Sequence, residues 1–245
     1  MDVFLVYKCQ YEKKRIGKDN DGGYVIADLP GEYDMLISGG ISDDISFERY
    51  FLNQYTEVNK CYAFDGTVNQ LPGCDERITF IKKNLGTDNS ESLCNLNDYL
   101  NQGKNIFMKI DIEGHEFRLF PAILPDLFLN IKQLVLEIHT PADIQLYPDY
   151  FKGLHDIKNK QLFELMKLIN KTHTLVHFHG NNGCALQTLL NIIPFPHVFE
   201  CTFIRNDYVK ERILNDEPFP TALDMQNSIY LPDFYFDHYP FCNKL

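Results

Sequence analysis

Three short stretches of this chain gather the side chains that acid–base or metal chemistry needs. Lys109-Ile-Asp111-Ile-Glu113-Gly114-His115-Glu116 spaces charged residues two apart, Leu134-Val-Leu-Glu137-Ile-His139 ends an apolar run in a carboxylate and an imidazole, and His177-Phe-His179-Gly-Asn-Asn repeats that spacing with two imidazoles. With the two-residue period of a strand, Phe107, Lys109, Asp111 and Glu113 share one face, and Ile106, Met108, Ile110 and Ile112 share the other. Glu137 and His139 oppose Leu134, Leu136 and Ile138 in the same way, and His177 and His179 oppose Val176 and Phe178. An ionisable group within a buried strand is costly unless it is paired. Lys109 can pair with Glu137 from a neighbouring strand. Alternatively Asp111, Glu137, His139 and one of His177 and His179 can hold a divalent cation, because carboxylate oxygens and imidazole nitrogens suit Mg²⁺ or Mn²⁺ as well as Zn²⁺. Spacing leaves both readings open.

A second kind of signal lies upstream. Ser38-Gly39-Gly40-Ile41-Ser42-Asp43-Asp44 is a glycine turn ahead of a helical pattern, which suits close approach of a cofactor to backbone N–H groups. It is not GxGxxG, and Gly39-Gly40 alone also fits a tight β–α turn. Asp65 follows 25 residues after Gly40, at the tip of the next apolar run. A carboxylate there is placed to take both hydroxyls of a cofactor ribose. Together the two features point to a nucleoside cofactor, with NAD and S-adenosylmethionine both open.

These residues must be held by an alternation of strands and helices. β-branched and aromatic runs predict strands at 34–39, 60–65, 77–82, 105–111, 133–139, 174–179 and 197–205. Helical periodicity predicts helices at about 44–56, 90–101, 115–129 and 148–171, with Asp44 capping the first. Such alternation implies an α/β fold with a largely parallel sheet, in which ligands bind beyond the carboxyl ends of the strands. All the polar clusters fall on that edge. The last strand arrives through a Gly/Asn turn and a short connection, which would insert it antiparallel at one end of the sheet. Asp21-Gly-Gly-Tyr24 reads as a turn joining two short extended pieces. No repeat or linker divides the chain, so 1–245 is expected to be one domain, with an N-terminal cap segment (1–33) and a C-terminal extension (208–245).

Composition narrows the partners. The chain has 245 residues and a formal net charge of −11. Phosphate contacts need a basic face, so a nucleic-acid partner is disfavoured, as are strongly anionic substrates and a polybasic membrane anchor. Nucleosides of small net charge are untouched by that argument. The cysteines number seven, with irregular spacing and no CxxC, which argues against a disulfide framework or structural zinc. The apolar stretch near Met1 is too short for a signal sequence or a membrane span, so the expected address is cytoplasmic.

The run Lys109-Ile-Asp-Ile-Glu-Gly-His-Glu resembles the FkbM-type family of S-adenosylmethionine-dependent methyltransferases, whose fourth strand ends in Lys-x-Asp-x-Glu-Gly-x-Glu. The resemblance extends to Arg15-Ile-Gly-Lys-Asp-Asn-Asp-Gly-Gly-Tyr-Val, Ser38-Gly-Gly-Ile-Ser-Asp-Asp-Ile-Ser-Phe-Glu, Phe64-Asp65, Leu134-Val-Leu-Glu-Ile-His, His177-Phe-His-Gly-Asn-Asn and Phe199-Glu-Cys-Thr-Phe-Ile-Arg. It is closest in character to the branch of animal methyltransferase-like proteins with a DGGY segment, and it covers about residues 14–207. It implies a Rossmann-like class I methyltransferase fold: a seven-stranded, mostly parallel sheet with an antiparallel last strand and helices on both faces. It implies a cofactor over Ser38, Gly39, Gly40 and Ile41, with Asp65 on the ribose and Asn84 and Leu85 near the adenine. Ser38 stands where many methyltransferases carry an acid, which leaves Asp43 or Asp111 to hold the methionine amine.

The implied reaction is methyl transfer to a hydroxyl of a sugar, a glycan or a glycosylated small molecule. Asp111, Glu137 and His139 or His179 would form a metal or base cluster beside the methyl, and Mg²⁺ or Mn²⁺ on Asp111, Glu137 and His139 would acidify the hydroxyl. Asp21 and Tyr24 would help close the site. A metal-dependent hydrolase on the same cluster, a catalytically inactive binding module and an NAD oxidoreductase are the alternatives; the missing third glycine counts against the last.

Overall fold

The computed structural model describes residues 1–190 and 192–243. After a 3-10 turn at Asp2–Phe4 the chain forms a hairpin, β1 (Lys13–Gly17) and β2 (Gly23–Ala27), paired antiparallel. The Arg15 guanidinium ties its turn by donating to the carbonyls of Lys18, Asn20 and Gly23. There follow β3 (Met35–Gly39), α1 (Ser46–Gln54), β4 (Cys61–Phe64), β5 (Ile78–Ile81), the short pair β6 (Asn84–Leu85) and β7 (Leu93–Cys94), and α2 (Asn97–Leu100). The second half runs β8 (Ile106–Ile110), α3 (Glu116–Ala122), β9 (Ile131–His139), α4 (Pro141–Leu146), α5 (Asn159–Asn170), β10 (His173–Gly180), the hairpin β11 (Leu186–Leu189) and β12 (Ile193–Pro196), and β13 (Val198–Arg205).

Seven strands form one sheet in the order β10-β13-β9-β8-β3-β4-β5. The pairs β3/β4, β4/β5, β3/β8 and β8/β9 are parallel, whereas β13 runs antiparallel to both β9 and β10. This corrects one expectation: β13 slots in one place from the end of the sheet, with β10 outside it. The order turns around at β3, since the chain leaves it for β4 on one side and later returns to β8 on the other.

Alternation along the strands feeds two cores. Met35, Ile37, Ile106, Met108, Ile110, Leu134, Leu136 and Ile138 face one layer, completed by α2, α3 and α5 through Leu100, Phe117, Leu119, Phe120, Leu162, Leu165, Met166 and Ile169. Leu36, Phe107 and Val135 face the other, completed by Phe47, Phe51 and Leu52 of α1 and by Ile16, Tyr24 and Ile26 of the hairpin. The hairpin is tied to that face by polar side chains as well. Gln133 accepts from the Ala27 N–H at 2.7 Å and donates to its carbonyl at 2.9 Å, and Thr202 donates to the Val25 carbonyl. A bulge between Leu175 and His177 puts Val176 on the hairpin side together with His177, where strict alternation would have opposed them.

Three helices are shorter than their periodicity predicts. In 90–101 only Asn97–Leu100 is helical, because Asn89, Ser90 and Asn95 bond to backbone N–H groups of Asn95, Ser92, Leu93 and Asn97 and so hold turns instead. The helix expected over 115–129 stops at Ala122, and Pro125 opens a separate 3-10 stretch to Asn130. The helix expected from 148 starts at Asn159, after turns that include Gly153 at φ +83°. Asp44 sits one residue before the N-cap of α1, with its carboxylate accepting from the N–H and hydroxyl of Ser46. Past β13 the described residues form no long element, yet the chain crosses back over β10. Phe219 bridges to Phe236, and Phe236 and Phe241 pack on Phe178 at 5.4 and 4.2 Å between ring centroids. Among the described residues no helix is long and apolar enough to cross a membrane.

Candidate functional site

The carboxyl ends of β3 and β8 meet at the point where strand order reverses, the position at which open α/β sheets leave a crevice. The contact is close. Gly40 has φ +76°, and a Cβ there would lie 1.6 Å from the Asp111 carbonyl oxygen. Lys109, 6% exposed, donates to the Gly40 carbonyl at 2.8 Å, and its ammonium stands 3.9 Å from the Asp111 carboxylate. The expected Lys109–Glu137 pair is not formed; Lys109 reaches along its own strand end to the β3 loop.

The rest of the Lys109–Glu116 run shapes a loop. Tyr24 donates to Asp111 Oδ2 at 2.9 Å, so the hairpin's DGGY segment reaches the strand end directly. Glu113 and Gly114 both have left-handed φ values, +56° and +81°. Glu116, on the first turn of α3, folds back to accept the Ile112 N–H at 2.8 Å, and burial pushes its carboxyl up to about 7. The alternation of charge therefore records a turn as much as a row of ligands.

A cleft of about 390 Å³ lies on this edge, lined by Gly40, Ser42, Phe64, Asp65, Thr67, Asn84, Leu85, Asp111, Ile112, Glu113, His115, Tyr150 and Phe151. Asp65 caps the β4 end: its carboxylate accepts from the Ser42 N–H at 2.9 Å and the Thr67 N–H at 2.7 Å. Burial alone would raise its pKa, but these bonds and the Thr67 hydroxyl outweigh it and hold the carboxyl below the usual range. Asn84 accepts the Gly66 N–H at 3.0 Å, and Leu85 presents a buried apolar wall. Three residues expected under a cofactor lie elsewhere. Ser38 is fully buried and donates to Glu48 of α1, and Ile41 packs in the α1 core; Gly39 is walled by Leu85 and Ile110. Glu48 itself, 1% exposed, is an acid that spacing did not single out.

At the Asp111 end the cleft meets a buried cluster. One ligand atom each from Asp111, Glu137 and His139 lies within 4.8 Å of the others. His139 donates from Nδ1 to Asp143 at 2.8 Å; its Nε2 stands 3.1 Å from Glu113 and 3.6 Å from Glu137. Burial would lower the His139 pKa, but the bonds to Asp143 and Glu113 and the charge of Glu137 push it up to about 11. Glu137 moves far upward through burial and the neighbouring Asp111 charge. Asp111 moves up through burial, against the pull of Lys109.

His179 does not join this triad. It lies two strands away, across from Glu200, which in turn pairs with Glu137 in the β13–β9 register. Its ring stands 3.3 Å from Glu200 and 3.3 Å from Asp233, which together push its pKa up to about 10 against burial. His177 stands 2.8 Å from Asp224. Asn227 donates to Glu200 at 2.8 Å and touches Asp21 at 3.4 Å. Asp143, Glu200, Asp224, Asn227 and Asp233 were missed by sequence reasoning. Asp143 carried a usable signal, since it follows His139 by four residues across the start of α4. The residues from 208 onward carry none, being neither periodic nor part of a motif.

The fold and edge thus define a mixed α/β protein with a seven-stranded, mostly parallel sheet and a cleft at its switch point. No protein-family model matches the chain, and no curated protein matches it. Among solved structures it is similar to a putative hemolysin from Lactococcus lactis, at 16% identity over 72% of this chain and 80% of that one, with a TM-score of 0.40. It is also similar to the Methanococcus jannaschii fibrillarin pre-rRNA processing protein, at 12% identity over 80% and 83% of the two chains, with a TM-score of 0.40.

Proposed function

We propose that this chain is an S-adenosylmethionine-dependent O-methyltransferase of FkbM type, acting on a hydroxyl of a sugar, glycan or glycosylated small molecule. One observation carries the reading: the switch-point cleft has a side-chain-free floor at Gly40, an ionised carboxylate at Asp65 and an acid–imidazole cluster where it ends at Asp111. The residues present fit the cofactor. Gly40 brings side-chain-free backbone to the cleft, the Asp65 carboxylate stands at its β4 end, where ribose hydroxyls would replace donors it now accepts from, and Leu85 offers an apolar wall to a base. The carboxylates of Asp111 and Glu113 line the far end, where a positive sulfonium is favoured over a phosphate.

When bound, S-adenosylmethionine supplies the electrophilic methyl. The chain has to orient the acceptor, exclude water and receive the acceptor's proton. His139 and His179 are poor receivers, because the carboxylates around them keep both rings protonated through neutral pH. The Asp111–Glu137 pair suits the task better: burial and mutual repulsion make its carboxylates more basic than surface ones.

Calorimetry with S-adenosylmethionine tests the reading. Asp65→Ala is expected to abolish binding, whereas Glu137→Gln is expected to keep it and to lower kcat by ~10²–10⁴-fold. No binding by the wild-type chain at millimolar cofactor would sink the proposal. Full turnover in Glu137→Gln would move proton transfer elsewhere.

A further inference from the structure

Glu137 is 7% exposed and holds a buried atom, Oε2, without a hydrogen-bond partner, while the Nε2 of His139, 9% exposed, stands 3.1 Å from Glu113 and 3.6 Å from Glu137. A buried polar atom left unmatched in this way is costly, and this one belongs to the triad that Asp111 and His139 complete. We propose that Asp111, Glu137 and His139 bind one divalent cation of the Mg²⁺/Mn²⁺ class, which holds the acceptor hydroxyl; the assignment of the hydroxyl rests on the methyltransferase reading, and the cation site does not.

The surroundings match such a site. Asp143 takes the Nδ1–H of His139 at 2.8 Å, which leaves Nε2 as the ring's ligand atom. A ligating histidine anchored by a carboxylate through its other nitrogen is a recurrent arrangement around bound metals. Tyr24 orients Asp111 through Oδ2 in the same way. Two carboxylates and one imidazole, with a cleft on the open side, leave positions for water or a hydroxyl, as Mg²⁺ and Mn²⁺ prefer. Two atoms on one ion, at about 2.1 Å each, lie at most ~4.2 Å apart. The 4.8 Å spread therefore closes by roughly half an ångström, which a small side-chain rotation supplies.

The test is titration of the full chain with Mn²⁺, followed by loss of the free-ion electron paramagnetic resonance signal, without S-adenosylmethionine. One Mn²⁺ per chain is expected, displaced by excess Mg²⁺. Glu137→Gln and Asp111→Asn should each weaken binding at least tenfold, and Asp143→Asn should weaken it ~10–100-fold. Asp65→Ala should bind Mn²⁺ as the wild type does. Circular dichroism identifies any variant that has not folded, and the remaining variants then decide. An unquenched signal at millimolar Mn²⁺, or wild-type affinity in folded Glu137→Gln or Asp111→Asn, overturns the cation site. Mn²⁺ binding without S-adenosylmethionine binding would leave the cation site standing and remove the methyltransferase reading; the converse result would do the opposite.

Discussion

Gly40→Ala is expected to destabilise the protein by more than about 4 kcal/mol, enough to leave little folded chain at 37 °C. Two costs add. A left-handed φ of +76° strains any residue with a Cβ, by ~1 kcal/mol. The larger cost is steric, because the new atom would fall 1.6 Å from the Asp111 carbonyl oxygen, which is backbone and cannot rotate away. Relief requires β3 and β8 to part where the Asp111 N–H donates to Gly39 at 3.0 Å and Lys109 to Gly40 at 2.8 Å. Gly153→Ala is the control. Its φ is +83°, but nothing lies within 4 Å of the added carbon, so only the ~1 kcal/mol of backbone strain is expected. Urea unfolding of both variants gives the comparison. Equal stabilities would show that β3 and β8 are not pressed together as described.

The second large effect is electrostatic. His139→Gln removes the positive charge among Glu113, Glu137 and Asp143, and is expected to cost about 3–5 kcal/mol near neutral pH. The cost should be greatest below pH ~6.5 and shrink as pH rises towards the folded value of about 11. His139 and His179 have folded pKa values of about 11 and about 10, above the ~6.5 of the unfolded chain. Their contribution is full below pH ~6.5 and is lost as pH rises through those folded values. Asp224 lies well below its usual range, because the His177 ring beside it outweighs burial, so its contribution is present above pH ~3.9 and lost in acid. Melting temperature against pH for the two chains measures this. A gap that stays constant from pH 5 to 9 would mean that His139 matters for packing alone.

The sheet was legible because its strands are buried on both faces and bounded by polar residues, and the seven expected runs match the seven strands to within about two residues at each end. Helix lengths were less legible. Leu93 to Leu100 has enough apolar residues to pass for a helix, but Asn and Ser side chains compete locally for the same backbone N–H groups. Within the site, the face shared by Asp111, Glu137 and His139 could be read from alternation alone, whereas the distance between strands could not. Lys109 illustrates the difference. Period two put it on the right face, but only the crossing of the β3 loop over β8 gives its ammonium a carbonyl to bond. His179 was placed with His139 because both end strands on the same edge; the insertion of β13 between them separates the two by Glu200.

The return of the chain over β10 also bears on the order in which the protein is made. Asp224 and Asp233, which cover His177 and His179, are synthesised long after the strand they protect. While the chain emerges, all seven strands can pair before those two imidazoles are shielded from water. The aromatic contact of Phe236 and Phe241 with Phe178 then fastens the late segment down. Contacts so distant along the chain form slowly. A ribosome that stops near residue 207 would therefore release a sheet that is complete and a histidine edge that is open.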